Sequence, residues 1–212
     1  SNQGATISWG RLDALSRNFA AYLQHGLGLH KGDRVAIMLP NLLQYPVALF
    51  GTLRAGCTVV NVNPLYTPRE LQHQLTDAGA VAIVVLDNFA HTFEQVQAHT
   101  PVRHVVTTRV GDMLHFPKAQ IVNLVVKHVR HMVPEWHIKG AVSLSDALHR
   151  GEALAFDEVT LVGSDTAFLQ YTGGTTGVPK GAVLTHRNIV ANVEQTTAWV
   201  GSVLEEGREA AI

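Results

Sequence analysis

The run Thr172-Gly173-Gly174-Thr175-Thr176-Gly177-Val178-Pro179-Lys180-Gly181 concentrates residue types that bind anions. Gly173, Gly174 and Gly177 let the backbone turn sharply and come close to a ligand. The N–H groups of such a backbone can point into one concavity and hold an anion. The hydroxyls of Thr172, Thr175 and Thr176 add donors for phosphate oxygens, or an acceptor for a hydrated metal ion. Lys180 adds positive charge after Pro179 has stiffened the approach. A polyphosphate fits this set better than any other common ligand. Two well-defined phosphate patterns fail here. A Walker A loop needs glycine before its lysine and serine or threonine after it, whereas Pro179 and Gly181 flank Lys180. The dinucleotide fingerprint G-x-G-x-x-G is absent from the loop. An ordinary glycine-rich turn is the bland alternative, and it needs neither the threonines nor the Pro-Lys-Gly end.

A loop of this kind must be held by rigid elements. Ala167 to Tyr171 reads as a short buried strand running into it, and a helix is expected from about His186 to Val200, after Ala182 to Thr185. Upstream, strand and helix patterns alternate. Leu12, Leu15, Phe19, Tyr22 and Leu23 recur at helical spacing, with Ser8 as N-cap and Gly26 as stop. Lys31-Gly32-Asp33 reads as a turn before a strand from Arg34 to Leu39. Leu42 to Arg54 reads as a buried helix with Pro46 in its first turns, and Thr58 to Val62 as a β-branched strand. Thr67-Pro68-Arg69-Glu70 carries a capping box and an N-terminal proline, and Gly79 ends that helix. Val81 to Leu86 is a continuous apolar run, as a strand covered on both faces requires. A helix over Phe89 to His99 and a strand over His104 to Thr108 follow. The β-α-β-α order predicts an α/β fold, a mainly parallel sheet with helices on both faces.

Residues 111–164 are less regular. Gln120 to Val133 has an apolar face of Ile121, Val122, Val125, Val126, Val129, Met132 and Val133, opposite Asn123, Lys127, Arg130 and His131. Such a helix either packs on its own protein with a solvated basic side or lies on an anionic membrane. His128 and His131 stand one turn apart, but no cysteine or carboxylate falls at ligand spacing around them, which argues against a metal site. The chain thus divides into a βα region (1–110), an irregular segment with an amphipathic helix (111–164) and the phosphate-loop strand, loop and helix (165–212).

Composition narrows the function further. Among 212 residues, 16 are basic and 17 acidic, so the clustered basic footprint of a general nucleic-acid binder is missing. Charged residues make up 16% against roughly 25% in an average soluble domain. That suits a well-covered α/β core, or a piece of a larger protein. Cys57 is the single cysteine; it cannot form an internal disulfide and reads as a small buried hydrophobe in a reducing, cytoplasmic setting. No signal-peptide pattern and no run long enough to span a bilayer is present. Both ends read as cut boundaries.

Tyr171 to Gly181 resembles the signature loop of the adenylate-forming superfamily of acyl-CoA synthetases, peptide-synthetase adenylation domains and luciferases. Gly32-Asp33-Arg34-Val35-Ala36 and Arg54-Ala55-Gly56 through Asn61-Val62-Asn63-Pro64-Leu65-Tyr66 resemble the family's earlier blocks. Leu169-Gln170-Tyr171-Thr172, Leu184-Thr185-His186-Arg187-Asn188 and Val125-Val126-Lys127 through Val133-Pro134-Glu135-Trp136-His137 are similar to the bacterial long-chain fatty acid branch. The resemblance covers essentially the whole chain, as an incomplete N-terminal AMP-binding domain over 1–212. It implies a carboxylate–CoA ligase using ATP, Mg2+ and coenzyme A. A fatty carboxylate attacks the α-phosphate of ATP to give an acyl adenylate, and the thiolate then displaces AMP. It implies that Thr172, Gly173, Gly174, Thr175, Thr176, Gly177 and Lys180 hold the β- and γ-phosphates, that Thr172 faces magnesium, and that Tyr171 anchors the loop. It also places the adenine and ribose contacts, the magnesium glutamate, the hinge and the C-terminal domain outside these residues, so this chain alone is expected to be inactive. The alternatives are a medium-chain or aryl carboxylate–CoA ligase and, from another class, a non-catalytic nucleotide-binding or membrane-docking module. The expected partners are fatty acid, ATP and coenzyme A, with peripheral inner-membrane contact and no nucleic acid.

Overall fold

The computed structural model describes residues 4–115, 117–129, 132–172 and 180–201. Five parallel strands come first: β1 (Arg34–Met38), β2 (Thr58–Asn61), β3 (Ala82–Leu86), β4 (His104–Thr108) and β5 (Val142–Ser143). β6 (Thr166–Thr172) joins them, and β7 (Lys180–Thr185) folds back antiparallel on β6. All seven form one sheet in the order β5-β4-β3-β1-β2-β6-β7. Every residue of β3 is buried, as its unbroken apolar run predicts.

Helices cover both faces. On one face lie α1 (Trp9–Ala21), α2 (Gln44–Arg54) and α6 (Leu144–Glu152), packing Phe19, Ala48, Leu144 and Ala147 against Val35, Ile37, Val59 and Val84. On the other lie α3 (Pro68–Ala78) and α4 (Asp87–Glu94), packing Leu71, Leu75, Ala90 and Phe93 against Ala36, Met38, Val60, Ile83 and Val85. Alternate residues of β1 therefore feed two different cores. The expected α/β class with helices on both faces is what the chain adopts.

Local signals set most boundaries. Ser8 Oγ accepts from the Arg11 N–H at 3.2 Å to start α1. The Thr67–Glu70 capping box is complete in both directions, and Gly79 closes α3 in the left-handed region. Cys57 is buried, and desolvation pushes its thiol up to about 12, as an inert core residue requires.

Four expectations need correction. The helix over Phe89 to His99 is α4, starting at Asp87 and ending at Glu94, then a 3-10 turn over Gln97–His99; the break falls where Val96 leaves helical geometry to bury its side chain. Residues 111–164 hold β5 and α6, which the pattern missed because β5 is two residues long. Its Ser143 is at once the strand's end and the N-cap of α6, accepting from the Asp146 N–H at 3.0 Å. Lys180 to Thr185, given no element in the sequence, is the edge strand β7. The amphipathic helix is shorter than 120–133: α5 (Lys118–Leu124) continues as a π turn over Val125–Val129. Asn123 of its polar side is half-buried, accepting from the Gly111 N–H at 2.8 Å and donating to Asp112 at 3.0 Å, while Lys127 is exposed and Val122, Val125 and Val126 of the apolar side are half-buried. Ile121, Leu124, Val129 and Met132 remain more than half exposed. Arg130, His131 and the side chain of His128 lie outside the described residues.

α1 is gripped from two sides by helices that approach through glycine. A Cβ on Gly51 of α2 would meet the Phe19 side chain at 2.7 Å, and one on Gly151 of α6 would meet the Asn18 carbonyl oxygen at 1.9 Å. Gly151→Ala must therefore push α6 off α1. Overpacking of this kind costs about 1–3 kcal/mol. The variant is expected to lower the thermal midpoint clearly, while Gly10→Ala, with open space around it, leaves it unchanged. Equal midpoints for the two variants would contradict the close approach.

Candidate functional site

The chain leaves β1 into α2 on one face and leaves β2 into α3 on the other. Adjacent parallel strands whose connections depart to opposite faces open a crevice at their carboxyl ends, where ligands of open α/β sheets bind. A cavity of about 270 Å³ lies there, lined by Leu39 and Asn41 after β1, Asn61 and Asn63 at the end of β2, and Gln170 and Tyr171 of β6. Its wall carries a chain of neutral polar contacts. Tyr45 Oη donates to Asn61 Oδ1 at 2.9 Å, and Asn61 Nδ2 donates to Gln170 Oε1 at 2.9 Å. From below, Gln74 Nε2 of α3 donates to the Asn61 carbonyl at 2.7 Å. Burial raises the Tyr45 phenol, with the Asn61 hydrogen bond opposing. Sequence reasoning assigned these residues no site role of their own. The available signal was a polar Asn61 and Asn63 at the carboxyl end of an apolar strand.

β6 runs up to the glycine-rich segment from this same edge. Thr172 is the last residue of β6 and Lys180 the first of β7, and the two pair directly across the ladder. Both are exposed, so a hydroxyl and an ammonium stand side by side at the carboxyl end of the sheet. An anion needs that chemistry, with no acidic residue lining the crevice beside it. Gly173, Gly174, Thr175, Thr176 and Gly177 lie outside the described residues. Tyr171, by contrast, turns into the core. Its ring crosses over Gly181, where a Cβ would sit 3.0 Å from the ring, and its hydroxyl meets Asp77 Oδ2 of α3 at 2.5 Å. The anchoring expected of Tyr171 thus has a partner that no motif named. Among the described residues, no group of three or more His, Cys, Asp and Glu could hold a metal ion.

The chain matches the AMP-binding enzyme family over residues 1–208. It belongs to that family. It is 59% identical over 208 residues to a long-chain-fatty-acid–CoA ligase of Escherichia coli O6:H1, covering 98% of this chain and 37% of the relative. The chain therefore spans little more than a third of the length of that curated relative. Among solved structures it resembles a long-chain-fatty-acid-CoA ligase from Archaeoglobus fulgidus, with a TM-score of 0.70 and 27% identity, over 95% of this chain and 35% of the other. It also resembles ATP-bound MatB from Rhodopseudomonas palustris, with a TM-score of 0.70 and 27% identity, over 93% of this chain and 33% of the other. Thr172 and Lys180, the described residues that flank the glycine-rich segment, stand at the end of β6 and the start of β7.

Asn61 is the hub of the crevice wall, so its loss should exceed that of either neighbour. Asn61→Ala leaves both the Tyr45 hydroxyl and the Gln170 amide unpaired, a penalty of about 1–3 kcal/mol, whereas Tyr45→Phe removes one hydrogen bond worth about 1 kcal/mol. Thermal unfolding of the two variants checks the order. A larger loss in Tyr45→Phe would overturn it.

Proposed function

We propose that this chain is the N-terminal part of a long-chain fatty acid–CoA ligase, as an incomplete AMP-binding domain over 1–212. The observation that carries the proposal is the 59% identity over 208 residues, 98% of this chain, with a ligase of that class. In this proposal Thr172, Gly173, Gly174, Thr175, Thr176, Gly177 and Lys180 bind the β- and γ-phosphates of ATP. The hydroxyls and backbone N–H groups orient the phosphates, and Lys180 neutralises charge on them. A fatty carboxylate and ATP are both anions, so charge must be offset before the carboxylate can reach the α-phosphorus. The new bond forms between carboxylate oxygen and phosphorus as pyrophosphate leaves. Coenzyme A thiolate then attacks the acyl carbon, and AMP departs. Magnesium, bound with the nucleotide, supplies further charge neutralisation, and the exposed Thr172 hydroxyl is the ligand this chain offers it. The residues that grip the base and ribose belong to the rest of the protein, so the chain alone is expected to be inactive.

Lys180→Ala and Thr175→Ala in the full-length protein test the phosphate assignment. Each removes a donor to developing charge, a loss worth about 10²–10³ in rate. ATP–pyrophosphate exchange with palmitate is expected to fall by that factor, with little change in thermal midpoint. Normal exchange in both variants would overturn the assignment. Faster exchange with benzoate or octanoate than with palmitate would replace the long-chain reading by an aryl or medium-chain one.

Peripheral contact of a cytoplasmic enzyme with the inner membrane belongs to the same proposal. The supporting observation is α5 and its π extension, where Ile121, Leu124 and Val129, followed by Met132, are more than half exposed beside Lys127. Apolar side chains with adjacent cations suit an anionic lipid surface. No described helix is long and apolar enough to cross a membrane. Lys127→Glu with Arg130→Glu is expected to weaken sedimentation with anionic vesicles and to leave turnover of a soluble short-chain substrate intact. Unchanged sedimentation would overturn the contact.

A further inference from the structure

The residue that meets the Tyr171 hydroxyl lies far from it in sequence. Tyr171 precedes Thr172 on β6, and its ring runs inward over Gly181 of β7 to reach Asp77 near the end of α3. Tyr171 is only 8% exposed, and a Cβ on Gly181 would sit 3.0 Å from the ring, tighter than ordinary contact. Both strands that bear the segment are thus located by one contact: β6 through the phenol itself, β7 through the glycine packed under it. α3 is a firm support. It is capped at both ends, and one turn before Asp77 its Gln74, 1% exposed, holds the end of β2 through the Asn61 carbonyl. One helix therefore fixes two walls of the crevice, β2 through Gln74 and the β6–β7 pair through Asp77.

We propose that Asp77 is a positioning residue for the nucleotide step, acting through the Tyr171 hydroxyl to set Thr172 and Lys180 against the crevice. This rests on the phosphate-binding reading of the segment. Asp77 touches no substrate; its effect is to hold the pair of strand ends at one height above α3. Burial raises the Tyr171 phenol and the neighbouring carboxylate raises it further, so the phenol stays protonated and donates throughout the working pH range. Displacement of about 1 Å at reacting groups can cost up to about 10²-fold in rate, so a contact that only supports the strands can still govern adenylation.

The test uses the full-length protein and separates the two half-reactions. Asp77→Ala is expected to lower kcat/KM for ATP in pyrophosphate exchange by about ten- to a hundredfold. Thioester formation from preformed palmitoyl adenylate and coenzyme A, which has no β- or γ-phosphate to hold, is expected to stay near wild type. Asp77→Asn, which still offers an oxygen to the phenol, should recover most of the loss. Tyr171→Phe keeps the ring over Gly181 and should match Asp77→Ala even if the alanine variant folds poorly. The double variant should be no worse than the worse single one, since both remove the same contact. Equal losses in both half-reactions would reduce Asp77 to a purely structural role and overturn the proposal, as would unchanged exchange. If Lys180→Ala abolishes exchange while Asp77→Ala and Tyr171→Phe do not, the phosphate reading stands and the positioning role alone fails.

Discussion

The structure depends on the burial of β1, β2 and β3 on both faces. A parallel strand has no solvent side, so each must be covered twice. Val35 and Ile37 face one core while Ala36 and Met38 face the other. The connections after β1 and β2 satisfy that demand by leaving to opposite faces, as α2 and α3. The crevice at their carboxyl ends is a consequence of covering the sheet, and it exists before any ligand is considered.

What fills that crevice follows from the same constraint. Strand ends have unpaired backbone and turn toward water, so polar side chains collect there. Asn61, Asn63 and Gln170 occupy these positions, and the wall they make with Tyr45 is neutral. Lys180 adds a positive charge at the start of β7, across the ladder from Thr172. A neutral wall near the exposed Thr172 hydroxyl and Lys180 ammonium is compatible with an anionic ligand.

α3 links core and site. Its apolar side, Leu71 and Leu75, seals the sheet, and its polar residues Gln74 and Asp77 reach through to β2 and Tyr171. Helix caps at Thr67 and Gly79 fix its length, so the heights of Gln74 and Asp77 above the sheet are fixed as well. α5 stands in contrast. Asn123 ties it to Gly111 and Asp112, and Ile121 and Leu124 are more than half exposed.

The sequence by itself determined the elements whose signals are local. Capping boxes act over three residues, strand burial shows as an apolar run, and the glycine–threonine loop is contiguous; hence α3, β3, the α/β class and the phosphate-binding expectation could be read without coordinates. The order of strands, the switch between β1 and β2 and the partner of Tyr171 were decided only by tertiary structure. Asp77 and Tyr171 are 94 residues apart, and Asn61 and Gln170 are 109 apart. No periodicity links positions at such separations. At α5 helical periodicity marks the two faces but not the tie of Asn123 to Gly111 and Asp112, 12 and 11 residues away. A pattern ranks faces by hydrophobicity, whereas the fold ranks them by which groups find partners: a buried N–H left unpaired costs about as much as the burial of a methyl group or two gains.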